Sequence, residues 1–409
     1  MPVSYDFGQI VTSRWWTDAY KASMGYIFAS HLSFINLGAR YKFNDRIKQS
    51  LPKGFLAEFK RQLTYLQYLP PEYHIADYMA EQWSFIPKWY WRWYADLKFD
   101  MNQVHVEGTD ENPVIWFEAP AGKYGLAEVT HWELHALHIY TVLLNKMLGR
   151  TPKQNWEVEA HARGKLFKDN GVVWSLMAGR RPFSNDVLRI ATGIACEYAQ
   201  DHPDGGGLSG ISNMYMAYIH GKRPMGSVAH EFPQICAALF GYGNANRMAM
   251  QIWYEVYGTH LGYALTDTFS THAFLQDLSF FYASKFKAFR NDSMDPFMYV
   301  NTMLEHLQHI GLSASGLLIV HTNFKIGEES LIVSASKYRT GEYLPRFGMG
   351  QIWDNNCGWP GANNVCKNEA VLFEDGTSRY TVKISDTPGK ESGDPEEVRK
   401  CKTSLGIRR

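Results

Sequence analysis

From about residue 170 onward the chain repeats one unit: a short apolar run, a small or polar end, then a helix-like stretch. No other feature restricts the fold as tightly. Short apolar runs bury both faces, and helices between them are the usual crossovers of a parallel sheet. The runs are "VVWSLMAGRRPFS", "GLSGISN", "RPMGSVAH", "LGYALTDTFS", "KFKAFRNDS", "GLLIVHTN" and "LPRFGMG". Stretches such as "EFPQICAALFGYGNANRMAMQIWYEVY" and "DPFMYVNTMLEHLQHIG" separate them with helical spacing. Seven runs are too many for a small open sheet and close to a TIM-like β/α barrel.

In such a barrel the C-terminal strand ends build the site. Here they carry Arg180, Arg181, Ser212, Asn213, Ser227, His230, Asp267, Arg290, Asp292, Asn323 and the glycines Gly348 and Gly350 of "FGMG". Cations, carboxylates, hydroxyls and glycine amides together suit an anionic, phosphorylated substrate. The stretch "PMGSVAHEF" sets Gly226, Ser227 and Ala229 ahead of His230. Small residues there leave room beside an imidazole that can act as base, ligand or phosphoryl acceptor.

The preceding third has another texture. "TDAYKASMGYIFASHL" has helical apolar spacing, with Thr17 or Asp18 as cap. "PKWYWRWYADLKF" reads as a helix with Pro87 in its first turn and aromatics on several faces, for core or interface packing. "GLAEVTHWELHALHIYTVLLNKML" is a longer helix that puts His131, His135 and His138 on one face. The spacing could bind a metal, but it is not H-E-x-x-H and fixes no further ligand nearby, so packing is the preferred reading. Near the end, "AVLFEDGTSRYTVKISDTPGK" signals a β-hairpin around "DGTS". The final "KESGDPEEVRKCKTSLGIRR" reads as a solvated, partly mobile end.

Composition excludes several classes. Lys+Arg and Asp+Glu are both 41 of 409 residues, so no global field draws the chain to nucleic acid or an anionic membrane. The aromatic-rich segments lack the surrounding basic run of a single-strand groove. Five scattered cysteines without C-x-x-C argue against a disulfide scaffold or zinc knuckle and for reduced thiols in the cytoplasm. No apolar stretch approaches the ~18 residues of a membrane span.

The ordered motifs "TDAYKASM", "GRRPFS", "GISN", "PMGSVAHE", "ALTDTFSTHAFL", "FRNDSMDP", "FGMG" and "KISDTPGK" resemble those of the nicotinate phosphoribosyltransferase family over most of the chain. The resemblance implies an α/β architecture of two domains. One is an N-terminal α/β domain over 1–135, completed by 365–409; the other is a β/α barrel over 136–364. It implies a homodimer with a shared active site, in which Tyr20 stacks on the pyridine ring across the interface. It further implies nicotinate, phosphoribosyl pyrophosphate and ATP as substrates, with Mg2+, and phosphorylation of His230 during the cycle.

By the same resemblance, Asp267 and Asp292 hold ribose hydroxyls or Mg2+. Arg290 faces the nicotinate carboxylate or a phosphate, and Arg180 meets phosphate oxygens. Ser227 contacts nicotinate in place of a threonine, Gly348 and Gly350 offer amides to the 5′-phosphate, and Lys383 and Lys390 reach pyrophosphate or ATP. Ser212 and Asn213 complete the substrate-binding set. Four residues depart from the family pattern. Met177 replaces an aromatic, Met294 a glycine, Thr322 a carboxylate and Ile352 an arginine. They leave two alternatives: a nicotinamide-preferring relative, or a catalytically diverged homodimer of the same fold.

Overall fold

Alternation builds the first sheet. In β1 (Gly38–Asp45), Ala39, Tyr41 and Phe43 are buried, while Lys42 and Asn44 face outward. β2 (Val104–Gly108) and β3 (Pro113–Ala119) form an antiparallel hairpin beside it. The computed structural model describes residues 7–47, 50–202, 205–387 and 389–407.

Six of the seven apolar runs are strands. β4 (Val173–Leu176), β5 (Gly207–Ile211), β6 (Tyr263–Leu265), β7 (Ala288–Asn291), β8 (Leu318–His321) and β9 (Leu344–Met349) form a parallel sheet of order β5-β4-β9-β8-β7-β6. All four residues of β7 are buried, as a strand covered on both faces requires. The seventh run, "RPMGSVAH", forms no strand. It makes a single parallel bridge, Pro224 to Ile211, because proline has no N–H to extend a ladder. The sheet nonetheless curls: Ser209 on one edge strand and Tyr263 on the other line the same interior cavity.

The chain then returns to the first sheet. β10 (Asn364–Leu372) pairs with β1, and β11 (Ser378–Tyr380) closes the hairpin read at "DGTS", giving the order β11-β10-β1-β3-β2. One continuous apolar core runs from Ile10 to Val371 through both sheets.

Helix ends follow the sequence signals unevenly. Ala19–Ser30 is helical, but the Asp18 carboxylate makes no cap bond; it is turned instead to Arg180 and Ser212. Lys88–Ala95 is helical with Pro87 directly before it. The charged tail is not simply solvated. Pro395–Ser404 is a helix capped by Asp394, which accepts from the Glu396 and Glu397 amides, and Cys401 is buried. The "GDPEE" stretch holds both the cap and the N1 proline that signal this start.

The Trp132–Met147 helix is buried on nearly every side. His131, His135 and His138 are fully shielded and lie against Tyr94, Phe99 and Trp16, with ring centroids 4.9, 4.9 and 5.1 Å apart. Burial pushes all three below the usual histidine pKa, His135 to about 4. They are packing residues, as the sequence favoured. Among the described residues, the one cluster with metal-ligating spacing lies elsewhere.

Candidate active site

Four strand ends converge on one cleft of about 310 Å3. Met177 lies just past β4, Arg290 and Asp292 at the end of β7, Thr322 just past β8, and Gly348 and Gly350 at the end of β9, while Asp267, two residues past β6, is buried behind this wall with its Oδ1 3.9 Å from His230 Nε2. His230 caps the Glu231–Phe240 helix, whose start brings the imidazole over the same rim. Lys383 arrives from the C-terminal segment. Its neighbours Val382 and Ile384 are buried in a small separate apolar cluster, and the Ile384 amide donates to the Thr268 carbonyl. That alternation turns the Lys383 ammonium into the cleft and leaves the side chain only 12% exposed.

The four groups at the centre are mutually bonded. Lys383 Nζ lies 2.7 Å from His230 Nε2, and Asp292 Oδ2 lies 3.2 Å from the same nitrogen. His230 Nδ1 is 3.0 Å from Thr268 Oγ1. Two neutral tautomers use these contacts differently: with Lys383 donating to Nε2 the ring proton sits on Nδ1 and goes to Thr268, whereas a proton on Nε2 goes to Asp292. Burial, then Lys383, lower the His230 pKa against the pull of Asp267 and Asp292, which favours a neutral ring.

Burial alone would raise the Asp292 carboxyl. Arg290 first, then His230 and Lys383, outweigh burial and hold it well below its usual range. The Arg290 guanidinium donates to Asp292 Oδ1 at 3.0 Å and to the Val228 carbonyl at 3.2 Å. Asp267 is fully buried; Ser293 Oγ donates to its Oδ2 at 2.6 Å, while its Oδ1 has no hydrogen-bond partner.

His230, Asp267 and Asp292 offer ligand atoms within 4.8 Å of one another. The orphaned Asp267 oxygen and the ionised Asp292 carboxylate fit a hard divalent cation that also takes phosphate oxygens. His230 is the less suitable donor for Mg2+, and Lys383 would share the carboxylates with the ion.

Tyr20 is almost fully buried and lines this chain's own cleft, with the Arg180 guanidinium 4.6 Å over its ring. Arg180 is fixed by Asp18 at 2.5 Å. Ser227 and Ser212 line the interior cavity behind the cleft, not the cleft itself. Asn213 is outside both: fully buried, it caps the Met214–Ile219 helix through the Met216 amide. Gly226 also serves packing. A Cβ there would meet the Tyr20 nitrogen at 2.7 Å, so its small size admits the Ala19–Ser30 helix; Ala229 is the small residue that does line the cleft beside His230.

The departures have local explanations. Met177 lines the cleft, and its sulfur occupies the space that a Cβ on Gly348 would need. Thr322 Oγ1 donates to Asp292 Oδ1 at 2.6 Å, where a carboxylate would repel it. Met294 packs against the core and is not in the cleft wall. Ile352 is fully buried. The cations that do face the cleft include Arg46, Arg181, Lys367 and Lys390. Burial, then Lys383 and Arg46, push Lys367 down to about 7, and burial, then Arg180, push Arg181 to about 10. Arg46 and Lys367 were missed in the sequence because β1 and β10 approach the cleft only after the two sheets pack. The one signal was a lysine amid the buried positions of β10. No helix among the described residues is long and apolar enough to cross a membrane.

Comparison with known proteins finds similarity along nearly the whole chain. Residues 177–408 match the model of the nicotinate phosphoribosyltransferase (NAPRTase) family, and residues 15–138 match that family's N-terminal domain. A nicotinate phosphoribosyltransferase of Methanosarcina mazei is 27% identical over 95% of this chain and 97% of its own. One from Chromohalobacter salexigens is 25% identical over 96% and 97%. The crystal structure of nicotinate phosphoribosyltransferase from Porphyromonas gingivalis superposes with a TM-score of 0.91 at 27% identity, covering 97% of this chain and 100% of that one.

Proposed function

The chain belongs to the nicotinate phosphoribosyltransferase family, and on that premise we propose that it joins nicotinate to phosphoribosyl pyrophosphate. The products are nicotinate mononucleotide, for NAD biosynthesis, and pyrophosphate; ATP hydrolysis is coupled through a phosphohistidine at His230. The observation that carries this reading is the meeting of His230, Asp267, Asp292, Arg290 and Lys383 at one rim, beside a wall of further cations.

The pyridine nitrogen attacks C1 of the ribosyl ring. A C–N bond forms as the C1–O bond to pyrophosphate breaks, placing positive charge on the sugar and negative charge on the leaving group. Fixed groups facing those charges lower the barrier because they need no reorganisation. Asp292 faces the sugar, with Asp267 buried behind His230; Lys383, Lys367, Arg46 and Arg181 face the phosphates. Tyr20 and Arg180 form the plate against which the pyridine ring is oriented. Mg2+, held by Asp267 and Asp292, would supply charge neutralisation at the phosphate oxygens.

In the coupling step Nε2 of the neutral His230 ring takes the terminal phosphoryl of ATP, forming an N–P bond as the P–O bond to ADP breaks. Thr268 accepts from Nδ1–H and so keeps the Nε2 lone pair unprotonated, and Lys383 must release that lone pair for the attack. Lys383 both points at Nε2 and is placed to follow the transferred oxygens. The working form is a cytoplasmic homodimer.

The test is a product assay with nicotinate, phosphoribosyl pyrophosphate and Mg2+, with and without ATP, and with nicotinamide in parallel. Nicotinate mononucleotide formed faster with ATP is the expected result. No nucleotide from nicotinate, or a preference for nicotinamide, would contradict it.

A further inference from the structure

Lys383 is the cation at the centre of the cleft, yet it comes from a segment outside the parallel sheet. Its Nζ lies 2.7 Å from His230 Nε2, 3.8 Å from Asp267 and 3.9 Å from Asp292. A lysine ammonium on a four-carbon stem has much freedom to lose, so holding it there requires a backbone anchored close by. Ser385, two residues on, has a φ of +71°, a left-handed conformation that a residue other than glycine keeps only when its surroundings enforce it. Ser385 still lines the cleft; the next residue, Asp386, does not.

Asp386 supplies that enforcement. Its Oδ1 accepts from the Thr271 amide at 2.8 Å and its Oδ2 from the Thr271 hydroxyl at 2.7 Å, and Thr271 is itself fully buried. The Asp386 amide donates to Ser293 Oγ at 3.1 Å, and Thr387 Oγ1 donates to the Ser293 carbonyl at 2.9 Å. Ser293 follows Asp292, and its hydroxyl proton goes to Asp267 Oδ2 at 2.6 Å, the shorter of its two carboxylate approaches; Asp386 Oδ2 is 3.5 Å away. Residues 384–387 are therefore clamped to the two loops that carry Asp267 and Asp292.

We propose that Asp386 is a positioning residue for the transfer reaction: by clamping this segment onto Thr271 and Ser293 it holds the Lys383 ammonium at His230 and the Ser293 hydroxyl at Asp267. Asp386 meets no reacting group and acts through those two. This role rests on the reading of Lys383 and His230 proposed above and adds the element that fixes their separation. The same segment reaches a second cleft cation. Lys383 and Ser392 exchange backbone hydrogen bonds of 2.9 Å each, and Lys367 Nζ donates to Ser392 Oγ at 2.8 Å. Releasing Asp386 loosens Lys383 first and Lys367 through it.

Limited acetylation of the full chain with acetic anhydride, read lysine by lysine by mass spectrometry, tests this without turnover. In the wild-type protein Lys383 should react about tenfold more slowly than the exposed Lys390. Asp386→Ala should raise the Lys383 rate about tenfold, while the fully buried Lys21 stays unreactive and reports an intact fold. Asp386→Asn, whose side-chain oxygen still accepts from the Thr271 amide, should return the rate to within about threefold of wild type. Thr271→Val removes one of the two bonds at similar volume, should give a rise of about threefold, and stands in if Asp386→Ala does not fold. In nucleotide formation, the double variant Lys383→Ala with Asp386→Ala should lose about tenfold less than the product of the two single losses, because the residues act through one group. An unchanged Lys383 rate in Asp386→Ala and Thr271→Val, no rescue by Asp386→Asn, or losses that multiply in the double variant would overturn the proposal. Unchanged nucleotide formation in Lys383→Ala fails the reading of Lys383 in the cleft, yet the acetylation rates still decide what Asp386 holds.

Discussion

His230 and His135 are both drawn toward the neutral form by burial, yet their surroundings share little else. His135 has one ring nitrogen on a backbone carbonyl at 3.0 Å, the other unpartnered, and Phe99 against its face. His230 has a hydroxyl on one nitrogen, and an ammonium and a carboxylate around the other, at the edge of a cleft. The difference is one of addressable chemistry. An imidazole walled by rings can only pack, whereas one whose nitrogen meets an ammonium and a carboxylate at a cleft edge can accept a group.

Lys21 joins the two regions. Fully buried, it pairs with Glu231 at 2.5 Å and Glu133 at 2.6 Å, and donates to Thr130 at 2.8 Å; Tyr41 donates to Glu231 as well. Glu231 is the residue after His230, and Glu133 begins the helix of the packed histidines. Replacing Lys21 by Met strands two carboxylates, and we expect a loss of about 3–5 kcal/mol in unfolding free energy, the largest effect here. Denaturant titration would check it; a loss under 1 kcal/mol would mean the network does not brace the two regions.

Asp292→Asn tests the cleft alone. Removing a preorganised charge at the reacting centre should slow nucleotide formation by about 100- to 1000-fold, with the folded state retained. The matched change on the other side, His135→Leu, should leave the rate within about twofold. A comparable collapse in both would erase the contrast.

Acid separates the regions next. His131, His135 and His138 have folded pKa values below the usual 6.5, so the unfolded chain binds more protons as pH falls. Their stabilisation is complete above about pH 6.5 and lost on descending from there toward pH 4. Each contributes a slope of up to about 1.4 kcal/mol per pH unit. His135→Leu should flatten that slope by one histidine's share in thermal melts taken across the window.

The smallest effect is expected at Thr322. Thr322→Val removes one bond to Asp292, worth about 1 kcal/mol, and should cut the rate about fivefold. No change in kcat/KM would show that Arg290 alone fixes that carboxylate.

The sequence was most legible where one physical signal dominated. Apolar runs ending in polar residues marked six strands and, through them, Asp267, Arg290 and Asp292. It was least legible where a residue's job depends on what packs against it. Gly226 looked like room for a ligand and is room for a helix; Asn213 looked like a binding residue and is a cap. Lys383 stood among charged tail residues, and only the burial of Val382 and Ile384 turns it inward. Arg46 and Lys367 reach the cleft from a different sheet, a convergence no local spacing encodes.

The central claim is that His230 Nε2 is a phosphoryl acceptor, whereas the packed histidines are not. Incubating the intact protein with ATP and Mg2+, then mapping the label by mass spectrometry under alkaline conditions, addresses it directly. The account predicts one phosphoryl group per chain on His230, absent from His230→Ala, whose nucleotide synthesis loses its response to ATP. No label on the wild-type protein, or label that persists in His230→Ala together with the ATP response, would contradict it.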